Sequence, residues 1–263
     1  MRGSGKRGSQ FWDSVCQAMM RRRAYYIDPG LGRYKQGEFF RLLEQWGGGF
    51  FDRVLKTDAF EEAFGADHII DWLGAHSRST VGVDISPQIA AQAKERFCSP
   101  AISWVSCDVA DTPFKNSVFD LVVSSNTYGY LSSRDIRRGL KEAYRILKPG
   151  GILVISVNNR HNLLFKLLCQ ISFFIRKIPF PVSSRYTAAG LSSFLEEAGF
   201  CVQSHEPIVH IPPFFNGTIK FLNKIGLKGL CRILIGRLNR YSLGKTKVHY
   251  ITAWFLIFNA RKK

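Results

Sequence analysis

The middle of the sequence alternates short β-branched runs with amphipathic segments, and this alternation constrains the fold more than any other feature. The β-branched runs typical of buried strands are residues 80–84, 102–107, 119–125 and 152–157. Between them, residues 88–97 and 133–147 repeat apolar side chains at the three-to-four spacing of a helix. Strands that alternate with helices form a parallel sheet covered on both faces. We therefore predict a doubly wound, Rossmann-like α/β fold.

Polar residues stand where three of these predicted strands end. Asp84 and Asp108 close two runs, and Ser125-Asn126 closes a third. Ligands of parallel sheets bind at the carboxyl ends of the strands. A carboxylate at Asp84 can accept from both hydroxyls of a ribose, and Asp108 can accept from an adenine amine, with the Val109 N–H near the ring. The alternative is that both acids are polar residues that only terminate strands.

Four segments carry a resemblance to a known family. They are residues 81–86, 107–114, 119–123 and 145–151, and together they span the middle third of the chain. In this order they resemble the class I S-adenosylmethionine-dependent methyltransferases, especially the branch that includes quinone-biosynthesis enzymes. The resemblance implies a seven-stranded sheet and S-adenosylmethionine as cofactor. It also implies that the cofactor lies against Asp84, Ile85, Ser86, Asp108, Val109, Ser125 and Asn126.

The first turn departs from that family. A glycine-rich turn is expected after the predicted strand 53–56, because glycine lets the backbone approach the cofactor. This chain has Thr57 and Asp58 there, and Gly65 is the only glycine nearby. Asp58 is predicted either to meet the ammonium group of the cofactor or to cap a helix with Glu61 in a capping box. Asp58 and Gly65 complete the predicted cofactor-binding set.

Outside the core, the sequence predicts helical additions at both ends. Residues 1–49 form a basic arm, with residues 1–9 disordered, followed by a helical segment that either covers the cofactor or packs outside the sheet. Residues 50–211 form the core, and residues 212–247 form a basic helical insertion that contacts substrate or membrane. Residues 248–263 supply the last strand and a basic tail.

Charge is distributed unevenly along the chain. The net charge is +17, and the residues after Asn159 hold 16 lysines and arginines against 3 acids. This asymmetry predicts an anionic partner: a phosphate-bearing lipid, a membrane leaflet or RNA. Residues 218–240 place basic side chains four apart, which predicts an amphipathic helix that lies in a membrane interface or forms a solvated lid. No apolar run reaches the roughly 18 residues of a membrane span, so a cytoplasmic protein is expected, with peripheral membrane attachment as an option.

The acceptor side offers fewer constraints. Residues 125–131 lack the Asn-Pro-Pro-Tyr signature of methyltransferases that act on amino groups of nucleobases. An O–H acceptor benefits from a base, for which Tyr128, His161 and His210 are candidates. Dispersed cysteines and histidines predict no metal site.

Methyl transfer to a small or lipid-linked acceptor is the leading prediction. The alternatives are an RNA methyltransferase, suggested by the charge, and a non-catalytic methyltransferase-like binding subunit, suggested by the missing glycines. A nicotinamide oxidoreductase is less well supported, because its glycine fingerprint is absent.

Overall fold

A computed structural model describes residues 6–22, 25–66, 68–175, 178–180, 184–244 and 246–263. Its strands are β1 Phe51–Thr57, β2 Ser77–Asp84, β3 Ile102–Ser106, β4 Phe119–Ser125, β5 Leu147–Asn159, β6 Arg185–Tyr186, β7 Phe200–Ile208 and β8 Phe255–Lys262. The main sheet has the order β3-β2-β1-β4-β5-β8-β7, and the two-residue β6 pairs with β5 beside this path. The first five strands are parallel, whereas β8 runs antiparallel to β5 and β7.

Helices cover both faces of this sheet. They are α1 Lys6–Met20, α2 Pro29–Gly47, α3 Phe60–Phe64, α4 Ile69–Ala75, α5 Pro87–Arg96, α6 Ser133–Ile146, α7 Leu163–Phe174, α8 Ala188–Glu197, α9 Phe215–Lys224, α10 Lys228–Ser242 and α11 Lys247–Thr252. Alternate residues of the same strand enter two separate cores: Leu121 and Val123 pack with α2, α4 and α10, and Val122 packs with α6 and α8. The predicted doubly wound fold is confirmed, with one short strand more than the seven expected.

Local capping signals explain why several predicted bounds hold. Ser86 caps α5, where its side chain accepts from the Ile89 N–H, and Pro87 occupies the first helical position. Ser132 caps α6 in the same way through the Asp135 N–H. Strand β4 has the same ends as its prediction. These features depend on residues close together in sequence, so the sequence alone locates them.

Several predicted elements are wrong in detail. Residues 248–252 were expected in the last strand but form α11, because Thr246 and His249 make a reciprocal capping box and the strand begins only at Phe255. The expected single helix over residues 218–240 is two helices. Gly226, at φ +83°, separates them. Helix α1 begins at Lys6, within the segment predicted to be disordered, and residues 1–5 lie outside the described residues.

Candidate functional site

The carboxyl ends of β1, β2, β3 and β4 bring the predicted polar residues into one row. Thr57 at the end of β1 lies between Val83 on β2 and Ser124 on β4 in the sheet register. Asp84 pairs with Ser106 on β3. The residues that follow these strand ends, Asp58, Asp108 and Asn126 among them, therefore lie along the same edge. This edge is where a parallel sheet binds its ligands.

Asp84 in this row is buried and fixed by two backbone hydrogen bonds. Its side chain is 6% exposed. One carboxylate oxygen accepts from the Ser86 N–H at 2.8 Å and the other from the Ala59 N–H at 2.9 Å. Burial outweighs these two bonds and raises the pKa of Asp84 to about 7. Each carboxylate oxygen has a second lone pair, so the pair of oxygens can also accept from a diol.

The first helix closes over this acid. Asp13 on α1 accepts a hydrogen bond from the Ser86 hydroxyl at 2.5 Å. Cys16, one turn further along α1, is fully buried with Ala59 and Ile89. The predicted helical lid therefore contacts the N-terminus of α5 directly beside Asp84. Asp13 was missed by the sequence prediction, because no local pattern links a residue of α1 to a strand end 71 positions later.

A buried ion pair occupies the place of the missing glycine-rich turn. Lys56 is 1% exposed and donates from Nζ to the Asp58 carbonyl at 2.7 Å and to the Glu62 carboxylate at 2.8 Å. Asp58 adopts a left-handed conformation, with φ +61°, that normally favours glycine. The lysine thus fixes a strained carbonyl. The turn that glycines would make by conformational freedom is made here by charge and hydrogen bonding.

Asp58 itself does not cap a helix through a capping box. The first residue of α3 follows Ala59, which has no side-chain cap, and Asp58 instead accepts from the Phe60 N–H at 3.1 Å. The Thr127 hydroxyl donates to the other Asp58 oxygen at 3.3 Å. Burial raises the pKa of Asp58, and Lys56 opposes this increase. The carboxylate therefore bridges the ends of β1 and β4, next to Asp84 in the row.

Gly65 lies away from this row. Its carbonyl accepts from Arg96 at 3.2 Å, and Arg96 is the last residue of α5. Ser86 caps the opposite end of that ten-residue helix, which is about 15 Å long at 1.5 Å per residue. The contact of Gly65 with the cofactor stays a prediction, which this hydrogen bond at the far end of α5 does not support. A Cβ at Gly65 would lie 1.9 Å from the Glu61 carboxylate, which is the end of a flexible side chain and can move aside, and 3.0 Å from the Glu61 carbonyl.

The remaining predicted cofactor residues lie at the row. Asp108 accepts from the Ala110 N–H at 2.9 Å, and Val109 is buried beside it. Ile85 and Ser125 are half-buried at the ends of β2 and β4. Asn126 is left-handed, and its side-chain oxygen is buried with no hydrogen-bond partner in the described part of the chain. A buried acceptor of this kind is costly unless a ligand donor reaches it.

Tyr128 is part of the core and not of the cleft. The ring is 1% exposed and packs in the cluster formed with α6, and the hydroxyl donates to the Gly139 carbonyl at 3.2 Å. Burial raises the pKa of the Tyr128 phenol above its ordinary value. A side chain in this position cannot act as a base on a bound acceptor, so the prediction for Tyr128 is wrong.

The two candidate histidines differ in position. His161 is exposed just beyond β5, at the carboxyl edge of the sheet, and its ring stays a predicted base. His210 is buried, with Nδ1 2.9 Å from the Thr252 hydroxyl and a ring packed on Tyr241. Burial lowers the pKa of His210 to about 4. His210 lies among the helices of the insertion, away from the row of acids.

An aromatic cluster lies next to the row. Phe180 contacts Phe60 at 5.3 Å between ring centroids and Trp12 at 6.0 Å, and Trp12 meets Tyr130 edge-on at 5.0 Å. These four rings come from α1, α3, the turn after β4 and the segment after α7. We call them the aromatic cluster. The sequence prediction missed it, because its members are dispersed over 169 positions.

Comparison with known proteins gives a consistent result. A family described as a methyltransferase domain matches residues 60–155. A 2-phytyl-1,4-naphtoquinone methyltransferase of Nostoc punctiforme is 29% identical over 151 residues, which cover 49% of this chain and 64% of the relative. The ubiquinone/menaquinone biosynthesis C-methyltransferase UbiE of Desulfotalea psychrophila is 30% identical over 141 residues, covering 52% and 54%. The chain thus spans less than two thirds of the length of these curated relatives.

Solved structures share the fold over nearly the whole chain. A chain of the Haloferax volcanii complex that contains the Trm112 methyltransferase activator superposes with a TM-score of 0.63 at 18% identity, covering 97% of this chain and 96% of its own. The N-methyltransferase NodS of Bradyrhizobium japonicum, in complex with S-adenosyl-L-homocysteine, gives a TM-score of 0.55 at 14% identity, covering 96% and 98%.

Proposed function

We propose that this chain, which belongs with the class I S-adenosylmethionine-dependent methyltransferases, transfers a methyl group from S-adenosylmethionine to a small or lipid-linked acceptor. The observation that carries the proposal is the row of acids at the carboxyl edge, centred on Asp84; Asp84 and Asp108 lie within the segment that matches a methyltransferase domain. The named activities of the relatives concern quinones and suit an apolar acceptor of this kind.

The residues of the row fit the parts of the cofactor. Asp84 would accept from the two ribose hydroxyls with the lone pairs that the backbone leaves available. Asp108 would accept from the adenine amine, and the buried Asn126 oxygen would gain the donor that it lacks. Asp58 would face the ammonium group. S-adenosylmethionine supplies an electrophilic methyl on a sulfonium, so the residues mainly have to position the acceptor.

The aromatic cluster supports an apolar acceptor. Trp12, Phe60, Tyr130 and Phe180 place rings beside the Asp58 end of the row, where the methionine part of the cofactor would lie. Aromatic rings bind planar or isoprenoid groups through dispersion and apolar contact. His161 is the proposed base for an O–H acceptor, because it follows β5 at the same edge.

A membrane-facing orientation is part of the proposal. All 12 residues of α7 are at least partly exposed, although the helix follows β5 at the edge that holds the site. Its exposed apolar side chains are Leu163, Leu164, Leu167, Ile171, Phe173 and Phe174. Such a surface is unusual for a protein that meets only water. No helix in the described part of the chain is long and apolar enough to span a bilayer, so α7 would lie at the surface of a membrane and admit a lipid-linked acceptor.

The test is calorimetric titration of the purified chain with S-adenosylmethionine and with S-adenosylhomocysteine. We expect micromolar binding that Asp84→Asn weakens at least tenfold, since a hydrogen bond from a ligand to a charged group contributes about 1.5–3 kcal/mol. Asp111→Asn is the matched control, because Asp111 is an exposed acid three residues from Asp108. A folded chain that binds neither ligand would contradict the proposal and favour the non-catalytic alternative.

A further inference from the structure

A cleft between α2 and α10 lies outside the site described above. Its two overlapping cavities have volumes of about 320 and 370 Å³. The helices are fixed at one end by the hydrogen bond between the Tyr34 and Ser242 hydroxyls, at 2.5 Å. Gly30, Gly37 and Gly236 line the cleft, so no side chain from these positions fills it. The cleft therefore results from the way α2 packs on α10.

Basic side chains surround this cleft. Arg33 of α2 faces Arg232 of α10 across it, and Lys228 stands one turn before Arg232. Within the described residues, none of these three side chains has an ion pair or a side-chain hydrogen bond. The one carboxylate in the lining, Asp28, already accepts from the Gly30 N–H at 2.8 Å and from the Asn223 amide at 3.0 Å. Three cations against one carboxylate leave the cavity with a net positive charge that favours an anion, and guanidinium groups match phosphate oxygens.

The rim of the same cleft is apolar and exposed. The turn between α9 and α10, which leads into Lys228, exposes Ile225 and Leu227 to solvent, at 51% and 47%. Ile233 follows on α10 at 58%. A soluble phosphate ester would not bury exposed leucine and isoleucine side chains. A bilayer interface buries them while nearby cations contact the lipid headgroups. Cations together with exposed apolar side chains favour an anionic lipid surface rather than a free anion as the ligand.

We propose that the α2–α10 cleft binds the phosphate headgroup of an anionic lipid while Ile225 and Leu227 insert into the bilayer interface. The chain docks through this surface, which is separate from α7 and from the cofactor row. The inference deepens the proposed function, on which its purpose rests: a docked enzyme reaches a lipid-linked acceptor without extracting it. The docking itself needs no cofactor, so it can fail or succeed independently of methyl transfer.

The experiment is sedimentation with phosphatidylcholine vesicles, with and without phosphatidylserine. We expect binding only to the anionic vesicles. Arg33→Gln with Arg232→Gln should weaken it about 30-fold, at roughly fivefold for each cation near the surface. Ile225→Ser with Leu227→Ser should weaken it by a similar factor. The matched control is Arg134→Gln with Lys141→Gln, two exposed cations on α6, which covers the opposite face of the sheet, and it should bind like the parent.

Two further measurements decide between explanations. Titration with inorganic phosphate tests a soluble ligand: binding of phosphate that depends on Arg33 and Arg232, without any vesicle binding, would overturn the lipid proposal. An equal loss in the α6 control would also overturn it, because the effect would then be one of net charge. S-adenosylmethionine affinity is measured for every variant. Retained cofactor binding with no vesicle binding refutes the docking surface and the membrane-facing orientation of α7 but leaves methyl transfer standing, whereas lost cofactor binding in the parent chain refutes the proposed function.

Discussion

Lys56→Met is the most informative perturbation of the fold around the site. The substitution leaves the Glu62 carboxylate, which is fully buried, without its counter-charge at 2.8 Å. Removing one partner of a buried ion pair typically destabilises a protein by about 3–5 kcal/mol, because the other charge stays desolvated. A domain of ordinary stability has about 5–15 kcal/mol in total. We therefore expect urea unfolding to show a free energy of unfolding lowered by about 3–5 kcal/mol.

The double substitution Lys56→Met with Glu62→Met gives the sharper test. Both charges are then absent, so the loss should be smaller than for Lys56→Met alone, although the Asp58 carbonyl and the Ile70 N–H lose their partners. Burial raises the pKa of Glu62, so acid should reduce the cost of the single variant by protonating the orphaned carboxyl. Arg137→Met, which breaks the exposed pair with Glu197, is the control and should cost at most about 1 kcal/mol. The predicted cost of the orphaned charge would be refuted if the losses in free energy of unfolding of Lys56→Met and Glu62→Met added up to that of the double variant. It would also be refuted if Lys56→Met lost no more than the Arg137→Met control.

Two more predictions concern the site and its strand. Because the pKa of Asp84 is about 7 in the free chain and ribose hydroxyls favour its ionised form, S-adenosylmethionine affinity should rise up to tenfold per unit as the pH increases toward 7 and then level off. Calorimetry at a series of pH values measures this, and a flat profile in the parent or an unchanged slope in Asp84→Asn would contradict it. Gly82→Ala should destabilise the chain by about 1–3 kcal/mol in thermal unfolding, since a Cβ there would lie 2.3 Å from the Trp104 ring. Gly217→Ala, in open space on α9, is the control and should be neutral or slightly stabilising.

The parts of the structure that the sequence predicts are those decided locally. Strand β4 and helix α6 follow from a β-branched run and from a serine cap with apolar spacing, and both were placed within a residue of their ends. The same holds for the row of acids, because each acid ends its own strand. Residues 248–252 were misassigned because valine and isoleucine favour a strand, while the Thr246–His249 capping box decides for a helix.

The parts that could not be predicted depend on contacts between distant segments. Nothing near Lys56 in the sequence indicates that its side chain replaces a glycine turn, since the bonded carbonyl needs the left-handed Asp58 to be seen first. The burial of Tyr128 follows from Gly139, where a Cβ would lie 2.8 Å from the ring. A tyrosine in a polar loop therefore looked catalytic until its neighbours on α6 were known.

The hydrogen bonds that join α2 and the residues just before it to the insertion have a consequence for how the chain folds during synthesis. The Asn216 side chain accepts from the Asp28 N–H and donates to the Tyr26 carbonyl. The Tyr34 hydroxyl is hydrogen-bonded to the hydroxyl of Ser242, which is 208 residues later in the sequence. A ribosome delivers the earlier helices first, and their partners emerge 188 to 208 residues later. Until residues 216–242 emerge, the part of α2 that packs on α9 and α10 therefore stays uncovered. Contacts between segments so far apart in sequence form late and make folding slow.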